Sequence, residues 1–213
     1  EAMIISPSQP SIGLLASITC DSTYVAGRRL GQVQVASTWD EESGRFLMSL
    51  QNLLGGKRNI NAEGYLQPDT RNVHASARLS RLNMGYAAPL LNSLFKEFGG
   101  FLSGQVGLDG TLDQIHLSSQ GLRVEDGLLA LDYTRVPYQM AGDLALDDEG
   151  LHFKKMSLSD GLGGTGAVTG SIFLGGFKDY ALDTHVQIRN MKVIDLAEGE
   201  NDLLYGTVSA SGR

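Results

Sequence analysis

Cysteine is almost missing from this chain. Cys20 is the only one in 213 residues, so no internal disulfide can form. That fits a reducing compartment and equally an exported protein without bridges, and Cys20 itself reads as a small, half-buried residue. Proline is also scarce, at 5 residues against 27 glycines. With no Gly-X-Y period, collagen is excluded, and glycine-rich, proline-poor sequence suits a sheet with frequent turns and bulges. Basic runs stop at the pairs Arg28-Arg29, Lys57-Arg58 and Lys154-Lys155, and the formal net charge is −7. A nucleic-acid partner is thereby excluded, because such binding needs a basic stripe to displace counterions from phosphates. No apolar run approaches the ~20 residues of a membrane-spanning helix, and no signal peptide is visible. The chain opens at Glu1 and stops at Arg213 straight after a strand-like phrase, so it is expected to be a segment of a longer protein.

What the chain does have is alternation. In Gly104-Gln-Val-Gly-Leu-Asp-Gly110, Val106 and Leu108 point one way while Gln105 and Asp109 point the other, the mark of a strand with one dry face and one wet face. The phrase recurs loosely in Gly31-Gln-Val-Gln-Val, Gly166-Ala-Val-Thr-Gly and Gly206-Thr-Val-Ser-Ala-Ser-Gly212. Apolar residues make up 42% of the chain, enough to cover one face of a long sheet.

Taken in order, residues 1–82 form a first set of strands. Ser11 to Cys20, Gln32 to Trp39, Arg45 to Leu54, Ile60 to Leu66 and Val73 to Ser80 alternate, separated by turns at Asp40–Gly44, Gly55-Gly56 and Pro68-Asp69. Residues 86–98 change period. Leu91, Leu94, Phe95 and Phe98 share a helical stripe, Pro89 suits a first turn, and Gly99-Gly100 would cap the end. This predicts one short amphipathic helix, read as a cap over the sheet; a gate or membrane-surface element is the sharper alternative, but the polar face has few cations. Residues 99–213 form a second set of strands. Turns are expected at Glu125-Asp126-Gly127 and Asp147–Gly150, a bulge at Lys154-Lys155 where the parity slips, and a helical turn at Val193 to Ala197.

Motifs with chemical meaning are weak. Gly161-Leu-Gly-Gly-Thr-Gly166 has the letters of a dinucleotide fingerprint, yet strand-like Ala167-Val168-Thr169 follows it instead of the helix that a pyrophosphate needs. His74, His116, His152 and His185 lie on wet faces with no paired spacing, so no metal site is expected. The acidic turns lack the alternating ligands of a calcium loop. No Gly-x-Ser-x-Gly elbow exists, and Ser159-Asp160 has no attached histidine. Catalysis and cofactors are not expected. The remaining feature is the apolar face, whose inward residues are often small or adaptable: Ala62, Gly64, Ala75, Ala77, Met140, Gly142 and Gly170. A sheet curled into a trough with that lining leaves room for alkyl chains.

Pro89-Leu-Leu-Asn-Ser-Leu-Phe followed by Leu102-Ser-Gly-Gln-Val-Gly-Leu-Asp-Gly-Thr-Leu resembles the TamB family, itself related to AsmA-like proteins. So do Gly142-Asp-Leu-Ala-Leu-Asp-Asp, Asp160 with Gly163-Gly164-Thr165-Gly166, and Leu204-Tyr-Gly-Thr-Val-Ser-Ala-Ser-Gly212. The resemblance implies a mostly β fold: a long curled, mainly antiparallel sheet, the β-taco trough or half-open barrel. It implies a periplasmic segment of a cell-envelope protein anchored in the inner membrane. It implies lipid transport, with phospholipid acyl chains shielded or conducted toward the outer membrane. It further implies outer-membrane biogenesis and protein secretion with a barrel partner of the Omp85 class; the ending at Arg213 departs from the family's C-terminus and leaves that contact open. On this reading the trough lining is Val106, Leu108, Tyr138, Met140, Leu144, Leu146, Val168, Ile172, Leu182, Val186 and Ile188. The alternative is a scaffold or chaperone module that receives nascent barrel strands by strand addition. A carbohydrate-active enzyme, which needs paired carboxylates across a cleft, ranks last.

Overall fold

The computed structural model describes residues 2–5, 13–88, 95–131, 136–175, 179–196 and 206–212. They form thirteen strands: β1 (Ala2–Ile5), β2 (Gly13–Val25), β3 (Arg28–Asp40), β4 (Arg45–Leu53), β5 (Ile60–Gln67), β6 (Asn72–Asn83), β7 (Phe95–Thr111), β8 (Gln114–Leu131), β9 (Pro137–Leu146), β10 (Gly150–Ser159), β11 (Thr165–Gly175), β12 (Asp179–Leu196) and β13 (Gly206–Gly212). The strand order is sequential from β1 to β13, so each strand pairs with its neighbours in the chain. Each ladder whose register is described is antiparallel. This is the mostly β, antiparallel architecture that the alternation predicts.

The chain divides into two compact units. Unit 1 comprises Glu1–Leu82 and Gly104–Gln120; unit 2 comprises Asn83–Ser103 and Gly121–Arg213. Strands β7 and β8 each contribute a length to both.

Unit 1 is ordered by register. Val35, Leu50, Ala62 and Ala77 stand opposite one another across β3 to β6, and Gln34, Gln51, Asn61 and Arg78 do the same on the other face. Trp39 packs on Phe46 with ring centroids 4.7 Å apart, a cross-strand pair of the kind worth about 0.5–1.5 kcal/mol beyond area burial. The turn between β4 and β5 is held by Asn52, which is 1% exposed. Its Nδ2 donates to the Leu30 carbonyl at 2.8 Å, and its Oδ1 accepts from the amides of Asn59 and Ile60 at 3.0 and 2.7 Å.

Most departures from the expected elements lie in unit 2. The predicted helix over residues 86–98 fails at its C-terminal end: Phe95 to Phe98 lie in β7, where the two glycines that follow continue as strand. Within the described residues the helical element is a 3-10 turn at Met84–Ala87, capped by Asn83, whose side chain accepts from the Gly85 amide at 2.8 Å. Pro89, Leu91 and Leu94 lie outside the described residues. Glu125-Asp126-Gly127 is not a turn. β8 runs through it with a register shift between Val124 and Gly127, and Asp126 adopts a left-handed φ of 49°. The helical turn expected from Val193 is strand through Leu196, while Ala197 lies outside the described residues. Cys20 is exposed, not half-buried, because β2 places it on an open face. The bulge at Lys154-Lys155 is present: register shifts after Phe153 on both sides of β10, returning Met156 to the face of Phe153.

Candidate functional site

The candidate site is the apolar face of unit 2, built row by row from the ladders. Met140, Leu158, Gly166 and Ile188 stand opposite one another across β9 to β12, and Gly142, Met156, Val168 and Val186 form the next row. Above them lie Leu144, Phe153, Gly170 and Thr184. Between these side chains is a cavity of about 330 Å³, at the lower end of the ~300–1,000 Å³ range of small-molecule pockets.

One end of the cavity is closed. Val136, Tyr138 and Met191 are buried together, with Leu158 and Ile188 packed against them. The closure is fixed through the backbone of Lys192. Its carbonyl accepts from the Tyr138 hydroxyl at 2.9 Å, and its amide donates to Asp160 Oδ2 at 2.8 Å. Asp160 Oδ1 meanwhile accepts from the amides of Leu162 and Gly164, at 2.8 and 2.9 Å, in the loop between β10 and β11. Strands β9 and β12 are three spacings apart, ~14 Å across a flat sheet, which is beyond a tyrosine's reach. The sheet of unit 2 therefore bends toward its apolar face here. The amide of Lys192, with those of Leu162 and Gly164, holds the Asp160 carboxyl below its ordinary range.

Of the residues predicted as lining, Tyr138, Met140, Val168, Ile172, Val186 and Ile188 come together around this cavity. Leu144 is buried beside it, between its cross-strand partners Leu122 and Phe153. Leu146 lies farther along, opposite Leu151. Leu182 is opposite Ile172 on β12, and its side chain lies outside what the structure describes. Val106 and Leu108 belong to unit 1; Val106 borders a polar groove there.

Sequence reasoning missed Leu129, Phe153, Met156, Leu158, Thr184, Met191 and Val193 as lining. For Phe153 and Met156 the signal was the bulge itself, which keeps both on one face. For Met191 there was no comparable signal: Asn190 takes a left-handed φ of 48° and the register slips between Ile188 and Met191.

The glycines act differently from expectation. Of those expected to leave room, Gly64 and Gly170 lie against neighbouring backbone and Gly142 lies beneath a methionine, as do Gly127 and Gly166. A Cβ at Gly127 would stand 2.5 Å from Met140 Cγ, one at Gly142 2.8 Å from Met156 Sδ, and one at Gly166 3.1 Å from Met191 Cε. Unbranched thioethers fill irregular gaps and rearrange readily, so this lining is adaptable where a wall of Val and Ile would be rigid.

The opposite face is polar. His152 Nδ1 is hydrogen-bonded with the Ser171 hydroxyl at 2.7 Å, and its Nε2 donates to Asp147 Oδ1 at 2.8 Å. That bond, with the amides of Glu149 and Gly150, lowers the Asp147 pKa. Ser171 is laddered to β10 and β12 on both sides. The chain of bonds caps the β9–β10 turn. Among the described residues, no three His, Cys, Asp or Glu side chains are grouped as a metal ion requires. No protein-family model, curated protein or solved structure matches the chain.

Proposed function

We propose that this chain is a periplasmic segment of an envelope protein of the TamB type, which shields or conducts phospholipid acyl chains along an apolar β-trough toward the outer membrane. The observation that carries the reading is the methionine-lined cavity of unit 2: in its lining the Tyr138 hydroxyl is already bonded to Lys192, and Thr184 is the only other side chain with a polar oxygen or nitrogen. Apolar burial, about 25 cal/mol per Å², supplies the affinity, and headgroup discrimination is low because among the described residues no charged side chain lines the cavity. The order of residues quoted for the TamB resemblance supports the same reading. It carries with it the inner-membrane anchor of the parent protein and a barrel partner of the Omp85 class.

A photo-crosslinking amino acid at Met140 or Ile172 tests this. Recovery of phospholipid adducts is the expected outcome; adducts with protein alone overturn it. The second reading, strand addition to nascent barrel proteins, is favoured by the strand order, which among the described residues leaves β1 and β13 each with a neighbour on one side. Proline substitutions in β13 would impair that activity, whereas a charge at Met140 would not.

A further inference from the structure

A second feature lies in unit 1, on the polar face, and does not depend on the lipid reading. Four strands build it. Glu63 on β5 is opposite Ser76 on β6, and Asn61 is opposite Arg78. His74 on β6 is paired through Nδ1 with Asp109 Oδ1 on β7. A Cβ on Gly107 would lie 2.6 Å from the Ser118 hydroxyl of β8. These contacts place Ser76, Gly107 and Ser118 in one row across β6 to β8. Asp109 and Gln105 stand two residues to either side of Gly107 on β7, about 13 Å apart at ~3.3 Å per residue. The result is a groove of about 440 Å³ with a floor of small residues. One wall is His74 with Asp109; the other is Arg78 with Gln105 and Gln120.

Gly107 is outside the left-handed region, so its backbone does not demand glycine. The space a side chain would take there is occupied by the Ser118 hydroxyl. The lining mixes donors and acceptors: amides, hydroxyls, an imidazole, one guanidinium and two carboxylates. Two carboxylates against one permanent cation disfavour phosphates and other anions. Glu63 and Asp109 belong to no metal-competent group among the described residues. The ligand that satisfies such a surface is uncharged and offers hydroxyls that both donate and accept.

We infer that this groove binds the pyranose rings of a neutral glycan. Among the described residues no Phe, Tyr or Trp lines the groove; Tyr65 beside it is covered by Arg45, 4.1 Å from the ring centroid, and stacked by His74. Binding therefore rests on hydrogen bonds and is weak, with a dissociation constant on the order of 1 mM.

The test is amide NMR on the full chain titrated with chitohexaose, maltohexaose and cellohexaose, with inorganic phosphate as the anionic arm. Shifts centred on Ser76, Gly107 and Ser118 with at least one glycan are expected. The double substitution Gly107→Val with Ser118→Ala, which fills the floor, should weaken binding at least ~10-fold. Should that variant not fold, Gln105→Ala with Gln120→Ala removes one wall and is expected to do the same. Silence with all three glycans, binding undiminished in the variant that folds, or stronger shifts at these amides with phosphate overturns the assignment.

Discussion

The hydroxyl of Tyr138 on β9 donates to the carbonyl of Lys192 on β12 across 2.9 Å, joining two strands that share no ladder. Tyr138 is 8% exposed, so the bond lies mostly out of water and its loss is felt. Tyr138→Phe keeps the ring and leaves the carbonyl without this donor; a loss of about 1 kcal/mol is expected. Tyr138→Ala also removes the packing against Val136 and Met191 and should cost about 3–5 kcal/mol. Urea unfolding of both variants measures this, and equal losses would mean that the ring contributes nothing.

Asn52 makes the corresponding prediction in unit 1. It is buried with both ends of its amide bonded, so Asn52→Ala strands the Leu30 carbonyl and the amides of Asn59 and Ile60 together. A loss of about 2–3 kcal/mol is expected, the upper part of the range for unsatisfied buried groups. Hydrogen exchange supplies the local readout: the Asn59 and Ile60 amides should lose protection in the variant, while those of β11 should not.

The acidic limit of stability follows from three carboxylates. Asp160 is lowered by the backbone amides of Lys192, Leu162 and Gly164, Asp147 by His152, and Asp195 by the Lys192 side chain and the Thr207 hydroxyl. A folded-state pKa below the unfolded value of 3.8 means stability that is fully present above that pH and lost as the pH falls through the folded pKa. The urea midpoint should therefore be flat near neutrality and fall below pH 3.8. Asp160→Asn retains an acceptor oxygen but cannot titrate, so its curve should fall less steeply in that window. An identical slope in the variant would remove Asp160 from the account.

Most of the strand ladder was legible because its signals are local. Alternation over Gln32 to Trp39 and the glycine-ended turns at Asp40–Gly44 and Gly55-Gly56 set each hairpin without reference to the rest of the chain. The failures share a cause. Leu94, Phe95 and Phe98 fit a helical stripe in a short apolar window, where period alone does not separate helix from strand; Phe95 and Phe98 belong to β7, which stands between β6 and β8 in the sheet. Glu125-Asp126-Gly127 has turn composition but is a bulge, since strand continues on both sides. Half of the cavity lining was visible as apolar parity. Met191 and Val193 were hidden by the slip at Asn190, and the role of Gly127, Gly142 and Gly166 depends on methionines one strand or more away.

That last relationship gives the sharpest prediction. Met156 is 3% exposed and lies over Gly142, so Met156→Ala should cost about 2–5 kcal/mol through lost contacts and the cavity left behind. Leu162 lies in the β10–β11 loop at 71% exposure, and Leu162→Ala should change stability by no more than about 0.5 kcal/mol. Gly166→Ala tests the same packing from the other side. Its added Cβ would meet the Gln187 carbonyl at 2.9 Å, Met191 Cε at 3.1 Å and Ile188 Cγ2 at 3.2 Å. Met191 can swing away, but the carbonyl belongs to the ladder, so this variant should lose about 1–3 kcal/mol. Combining Gly166→Ala with Met191→Ala separates the two contacts. If methionine crowding dominates, the pair costs less than the sum of the single changes; if the Gln187 carbonyl dominates, the costs add.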